Sequence, residues 1–173
     1  MRRRYALLDR DGTIIVERNY LKSIADLKLL PHSAEGLRKL SAQGFGLIII
    51  TNQSGIGRGL MTAQDVEAVH TELHRRLSNE GVQIDGIYYC PHAPDVNCGC
   101  RKPKTALALQ AAKEHGFDPR ESIVIGDKAS DIEFGRALEA ARTILVRTGY
   151  GKQHEHSAHP DQVADDLLTC TVP

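Results

Sequence analysis

The stretch "ESIVIGDKASDIEFGRALEAARTILVRT", residues 121–148, decides the fold. Its opening "ESIVIGD" (121–127) is a short apolar run with β-branched residues, which reads as a buried strand. "ASDIEFGRALEAA" (129–141) has the spacing of a helix. "RTILVRT" (142–148) is β-branched again and reads as a second strand. A strand, a helix and a strand in succession form the unit from which parallel sheets are built.

The same alternation extends toward the N-terminus. "YALLD" (5–9) reads as a strand, and residues 10–31 as a mixed loop. "SAEGLRKLSAQG" (33–44) has helical spacing, with Ser33 as the expected N-cap and Gly44 as the stop. "GLIIIT" (46–51) is continuous and β-branched, which suits a strand buried on both faces. "NQSGIGRGLM" is a glycine-rich loop. "TAQDVEAVHTELHRRLSNEG" (62–81) is a long amphipathic helix capped by Thr62 and stopped at Gly81. "IDGIYYC" (84–90) is another strand, followed by a cysteine-bearing loop and a helix near 104–115. Beyond 148 the chain is polar, with "DQVADDLLTC" (161–170) as a short closing element. The expected fold class is therefore α/β: a Rossmann-like parallel sheet with helices on both faces, in one domain spanning residues 1–173.

The totals exclude several functions. Lysine plus arginine and aspartate plus glutamate number 22 each in 173 residues. That balance leaves no electrostatic footprint for nucleic acid or an anionic membrane. No apolar run is long enough to span a bilayer, and the arginine-rich start lacks the apolar stretch of a secretory signal. Four cysteines, three of them crowded together, favour metal binding in a reducing cytoplasm over a disulfide scaffold. A cytoplasmic monomer acting on a small molecule is expected.

In doubly wound sheets, ligands bind beyond the C-terminal ends of the strands. After the first strand stands "DRDGT", with Asp9 and Asp11 two apart. Carboxylates at an apolar strand's end need a compensating positive charge, and magnesium suits such oxygen ligands. Turn or helix-cap aspartates are the ordinary alternative. After the second strand, "TNQSG" supplies the Thr51 hydroxyl, the Asn52 amide and glycine N–H groups, which together can cradle phosphate. The following "GIGRG" lacks the spacing and the later acidic residue of a dinucleotide site. After the third strand, "RKP" places Lys102, expected to be extended ahead of Pro103, where an ammonium can neutralise a phosphoryl group. After the fourth, "GDKASD" supplies Asp127, which could complete the metal site. Asp131 there could orient Lys128 or bind metal through water. Capping of the next helix by Asp127 or Ser130 is the alternative.

Cys90 and His92 lie two apart, as do Cys98 and Cys100. Three thiolates and an imidazole make a full tetrahedral zinc set with no open position for water, so the expected zinc is structural. A disulfide would leave one of the three cysteines and His92 without a role. Cys170 reads as a free thiol. His70 and His74 share a helix face, where surface or partly buried placement is the expectation. His154, His156 and His159 are expected to be solvated.

An acid pair, a hydroxyl, a lysine and a further acid at successive strand ends resemble the haloacid-dehalogenase-like phosphatases over nearly the whole chain. "DRDGT", "TNQSG", "RKP" and "GDKASD" are similar to that family's four motifs. The resemblance implies that Asp9 is the nucleophile and that Asp11 is the general acid and base. It places magnesium on Asp9, the Asp11 backbone carbonyl and Asp127, and phosphoryl oxygens on Thr51 and Lys102. No insertion is long enough for a cap domain, so the fold should be capless. Together with "DGIYYCPH" and "LVRTG", these stretches resemble the branch of the family that acts on heptose bisphosphates, on the route to nucleotide-activated heptose for surface polysaccharide. That likeness implies a phosphorylated sugar bound by Asn19, Tyr20, Asn52, Gln53, Arg101 and Lys128. Lys104 departs from the pattern of many such enzymes. The related histidinol-phosphate phosphatases, which share "CRKPK" and the zinc loop, are the alternative.

Overall fold

The computed structural model describes residues 3–172. Six strands form one parallel sheet: β1 (Tyr5–Leu8), β2 (Gly46–Asn52), β3 (Gly86–Cys90), β4 (Ile123–Gly126), β5 (Arg142–Val146) and β6 (Gln162–Ala164). Their order is β3-β2-β1-β4-β5-β6. The chain builds outward from β1 in one direction, then returns to its other side at β4. That reversal opens a crevice between β1 and β4 at their C-terminal ends. The register sets Leu8 beside Ile125, so Asp9 and Asp127 emerge on neighbouring strands.

Strand periodicity accounts for the two apolar layers. On β1, Ala6 and Leu8 join one cluster while Tyr5 and Leu7 join the other. The first layer is covered by α1 (Ser33–Ala42) and α2 (Ala63–Asn79), through Leu37, Leu40, Val69, Leu73 and Leu77. The second is covered by α3 (Ala106–His115) and α4 (Ala129–Ala137), through Leu107, Ala108, Ala111 and Phe134. Every residue of β2 up to Thr51 is buried, as its unbroken β-branched run requires. Between β1 and β2 lie only loops, a 3-10 turn (Ile24–Asp26) and α1; between β2 and β3 lie only a loop and α2. Neither connection carries a cap.

Several local expectations hold. Thr62 caps α2 in a reciprocal box with Asp65, and Gly44 and Gly81 follow their helices with positive φ. Others need correction. Ser33 is not the cap of α1: His32 holds that position in the left-handed region with no side-chain cap bond, and Ser33 is the first helical residue. Its hydroxyl is buried without a hydrogen-bond partner among the described residues. Neither Asp127 nor Ser130 caps α4; Lys128 occupies that position, and Asp131 accepts from its N–H. α4 also stops at Ala137 rather than 141, because Glu139 turns into the left-handed region. The tail is less polar than its composition suggests. β6 adds an edge strand, and Ala164, Leu167 and Cys170 enter the core. Cys170 is a free but buried thiol, pushed up to about 12 by that burial.

Candidate active site

A cleft of about 250 Å³ lies over the C-terminal ends of β1, β2 and β4. Its wall includes Asp9, Asp11, Asn19, Tyr20, Thr51, Asn52, Gln53, Arg101, Lys102 and Lys128. Sheet order thus brings every predicted catalytic and substrate residue to one cavity, while Asp127 lies just beneath it.

The floor is a charge network. Lys102 is buried, and its Nζ lies 2.8 Å from Asp9 Oδ1 and 2.6 Å from Asp131 Oδ1. The same ammonium donates to the Ile50 carbonyl at 2.7 Å. Burial pushes the Asp9 carboxyl up, but Lys102 and Lys128 outweigh it and hold Asp9 below the usual carboxylate range. Asp9 is therefore anionic and oriented. Asp131 neither touches the Lys128 ammonium nor stands free: one oxygen grips Lys102 and the other accepts from the Lys128 backbone. The Lys102–Pro103 bond is cis and lies in a turn closed by the Lys104 N–H on the Arg101 carbonyl at 2.9 Å.

Asp127 is fully buried; its Oδ1 has no hydrogen-bond partner among the described residues, and the Lys128 ammonium lies 4.0 Å from it. Its Oδ2 accepts from the Tyr150 N–H at 2.8 Å. Burial and the nearby Asp9 push its carboxyl up to about 8. Carboxylate oxygens of Asp9, Asp127 and Asp131 lie within 4.8 Å of one another. Three acids this close, one with an oxygen that accepts no hydrogen bond, fit a divalent cation that supplies further positive charge. Gly12 is required beside them. It has φ +83°, and a Cβ there would lie 2.2 Å from Asp127 Oδ2.

Asp11 is held differently. Arg10 donates from Nε to Oδ2 at 3.0 Å and from Nη2 to Oδ1 at 3.1 Å. Gln53 Nε2 donates to Asp11 Oδ2 and to Thr51 Oγ1, both at 2.9 Å. Asn52 lines the cleft, yet its amide is taken up by the Lys102 backbone in both directions, at 3.0 and 3.3 Å. Asn19 and Tyr20 both have positive φ, an uncommon backbone for such residues, and Glu17 accepts from the Asn19 N–H. Glu17 also pairs with Lys128 at 3.4 Å, and the Lys128 ammonium lies over the Tyr150 ring. Arg101 lines the cleft with a buried Nη1 that has no partner among the described residues.

The cysteine loop gathers its four predicted ligands. Cys90 Sγ lies 3.1 Å from Cys100 Sγ and 3.7 Å from Cys98 Sγ; His92 Nδ1 lies 3.2 Å from Cys100 Sγ. All the cysteines are free thiols. Two thiolates on one tetrahedral zinc sit roughly 3.8 Å apart, so the donor set fits that ion. The loop packs directly on the glycine-rich segment: Gly57 N–H donates to the Pro91 carbonyl, and a Cβ on Gly57 would meet the Ala93 nitrogen at 2.5 Å. "GIGRG" is thus a close-packing device. Lys104 bonds to Asn97 and the Cys98 carbonyl, away from the cleft.

Arg10, His70, Glu17 and Tyr150 were not among the predicted site residues. Arginine between two aspartates was the one available signal. His70 lies far along the chain and was expected at or near the surface; it is instead 5% exposed, with Nε2 3.0 Å from Arg10 Nη1. His74 is exposed, as expected.

A family model described as HAD-hydrolase-like matches residues 99–170. The D-glycero-beta-D-manno-heptose-1,7-bisphosphate 7-phosphatase of Haemophilus influenzae is 36% identical over 167 residues, covering 93% of this chain and 91% of that one. A D-glycero-alpha-D-manno-heptose-1,7-bisphosphate 7-phosphatase of Photorhabdus laumondii is 40% identical over 152 residues, 84% of this chain and 83% of its own. The D,D-heptose 1,7-bisphosphate phosphatase of B. bronchiseptica, solved with magnesium and phosphate, superposes with a TM-score of 0.88. That match covers 96% of this chain and 94% of the other at 29% identity.

Proposed function

The chain belongs to the heptose 1,7-bisphosphate 7-phosphatases, a family of haloacid-dehalogenase-like hydrolases, and we propose that its Asp9-centred cleft carries out their reaction. The enzyme is a phosphoric monoester hydrolase that removes the C7 phosphate, and the route we assign to it runs through an aspartyl phosphate. Asp9 attacks phosphorus in line. The bond from phosphorus to the sugar oxygen breaks, and the Asp11 carboxyl gives its proton to the departing alkoxide. Asp11, now a carboxylate, then takes a proton from the water that cleaves the acyl phosphate. Lys102, Thr51 and backbone N–H groups of the β2 loop bind the phosphoryl oxygens. Arg101 and Lys128 receive the second phosphate, since a guanidinium fork grips such a group at two points. Asn19, Tyr20 and Gln53 bound the sugar.

Asp9, the Asp11 backbone carbonyl and Asp127 would hold magnesium, with Asp131 reserved for Lys102. When bound, magnesium offsets the repulsion between a carboxylate and a phosphate dianion. Cys90, His92, Cys98 and Cys100 would hold a structural zinc that fixes the exit of the loop, where Arg101 and Lys102 begin. We further propose one catalytic unit over residues 1–173, monomeric and cytoplasmic, serving nucleotide-activated heptose synthesis. Among the described residues no helix is long and apolar enough to cross a membrane.

The observation that carries this reading is the buried Asp9–Lys102–Asp131 network beside an Asp127 oxygen that accepts no hydrogen bond, at the floor of the cleft. Phosphate release with magnesium, measured side by side, tests it. The α and β heptose 1,7-bisphosphates should be hydrolysed far faster than histidinol phosphate. The reverse order would overturn the assignment, and the two anomers in parallel show which one this enzyme prefers.

A further inference from the structure

Arg10 is 0% exposed, yet it stands one residue from the cleft. Three of its nitrogens are engaged. Nε and Nη2 form a fork on the two oxygens of Asp11, and Nη1 meets His70 Nε2 at 3.0 Å. A guanidinium only donates, so His70 Nε2 must be the acceptor and the ring is neutral there. His70 projects from α2 and is packed edge-on to the Tyr89 ring, with centroids 5.4 Å apart. The guanidinium is planar and rigid. Fixing Nη1 on His70 therefore fixes the plane of the fork, and with it the plane of the Asp11 carboxyl. Gln53 supplies a second constraint on the same carboxyl.

We propose that His70 is a positioning residue for the general acid: through Arg10 it sets the orientation in which Asp11 delivers its proton to the leaving oxygen. This inference rests on the role given to Asp11 above. It connects α2, which contributes none of the residues lining the cleft, to a single chemical step.

The test uses leaving groups. Departure of a sugar alkoxide needs a proton, whereas p-nitrophenolate departs without one. Values of kcat/KM report only the steps up to leaving-group departure, so later hydrolysis of the aspartyl phosphate does not enter. The ratio of kcat/KM for heptose bisphosphate to that for p-nitrophenyl phosphate is also independent of how much enzyme is folded. In Asp11→Asn the ratio should fall by roughly 10²-fold or more, the usual contribution of general acid catalysis. In His70→Phe, which removes the acceptor but keeps a ring, it should fall about tenfold, a part of that contribution. His70→Gln, whose amide oxygen can accept from Arg10, should restore most of the ratio.

A normal ratio in His70→Phe beside a collapsed ratio in Asp11→Asn overturns the positioning role and leaves the acid assignment standing. A normal ratio in Asp11→Asn overturns both. Equal losses on the two substrates in His70→Phe assign His70 to stability alone and likewise overturn the proposal.

Discussion

Asp9 and its neighbours show how a buried acid is kept charged and in place. Lys102 keeps two other partners, Asp131 and the Ile50 carbonyl, when Asp9 loses its charge. Asp9→Asn should therefore fold normally while phosphate release falls by at least about 10³-fold. Circular dichroism and a phosphate assay on one preparation check both halves; near-normal turnover would remove Asp9 as nucleophile. Arg101 has a buried, unpartnered Nη1 in the cleft wall. Arg101→Ala should lower kcat/KM for a heptose bisphosphate by about 10- to 100-fold, the worth of a charge-assisted hydrogen bond. The loss on a heptose 7-monophosphate should be much smaller, and matched losses would argue against a second-phosphate contact. His70 makes a separate prediction for pH. Burial and Arg10 bring its imidazole down to about 3, against roughly 6.5 in an unfolded chain. Between those values the unfolded state binds the extra proton, so acid favours unfolding. Stability should fall as pH drops from about 6.5 toward 3, with this residue adding on the order of 1.4 kcal/mol per pH unit. Urea unfolding of His70→Gln across that range should show a shallower decline.

At the scale of elements, the cysteine loop is the one segment whose conformation a metal would dictate. Asn52 clamps the Lys102 backbone from one side, and Cys100, a proposed zinc ligand, lies two residues before Lys102. Cys98→Ala should release zinc, measured by metal analysis, and lower turnover by disordering the segment that carries Arg101 and Lys102. Full activity and unchanged thermal stability in that variant would mean that the loop is held by its packing on Gly57. Elements themselves were legible because each carries its own periodic pattern and stop signals. Thr62 with Asp65, and Gly44, are local devices that act within a few residues. Ser33 was misread for a physical reason: the turn at His32 adopts a left-handed backbone, which moves the helix start by one residue and buries the hydroxyl that looked like a cap. The closing strand β6 was visible only as an unspecified element, because three residues at a sheet edge show no resolvable period.

Across the whole molecule, the β1–β4 adjacency determines whether there is a site at all. β2 contributes to both apolar layers, with Ile49 in one and Ile48 and Ile50 in the other. Ile49→Ala should cost about 2–5 kcal/mol of stability by opening a cavity there. Chemical denaturation measures that loss directly, and a change below about 1 kcal/mol would mean that the layer repacks without a void.

The amino-acid sequence by itself determined the α/β alternation, the acid, hydroxyl and lysine positions at strand ends, and the grouping of three cysteines with a histidine. Each of these is written within a few residues, beside the apolar run or the turn that fixes its backbone. Only the tertiary structure decided that β4 lies against β1, that Asp131 serves Lys102, and that His70 reaches Asp11 through Arg10. These depend on strand order and on the docking of α2 across the sheet, which join residues far apart along the chain. No local pattern records such pairings, because their free energy comes from burial and hydrogen bonds that form only when the layers close.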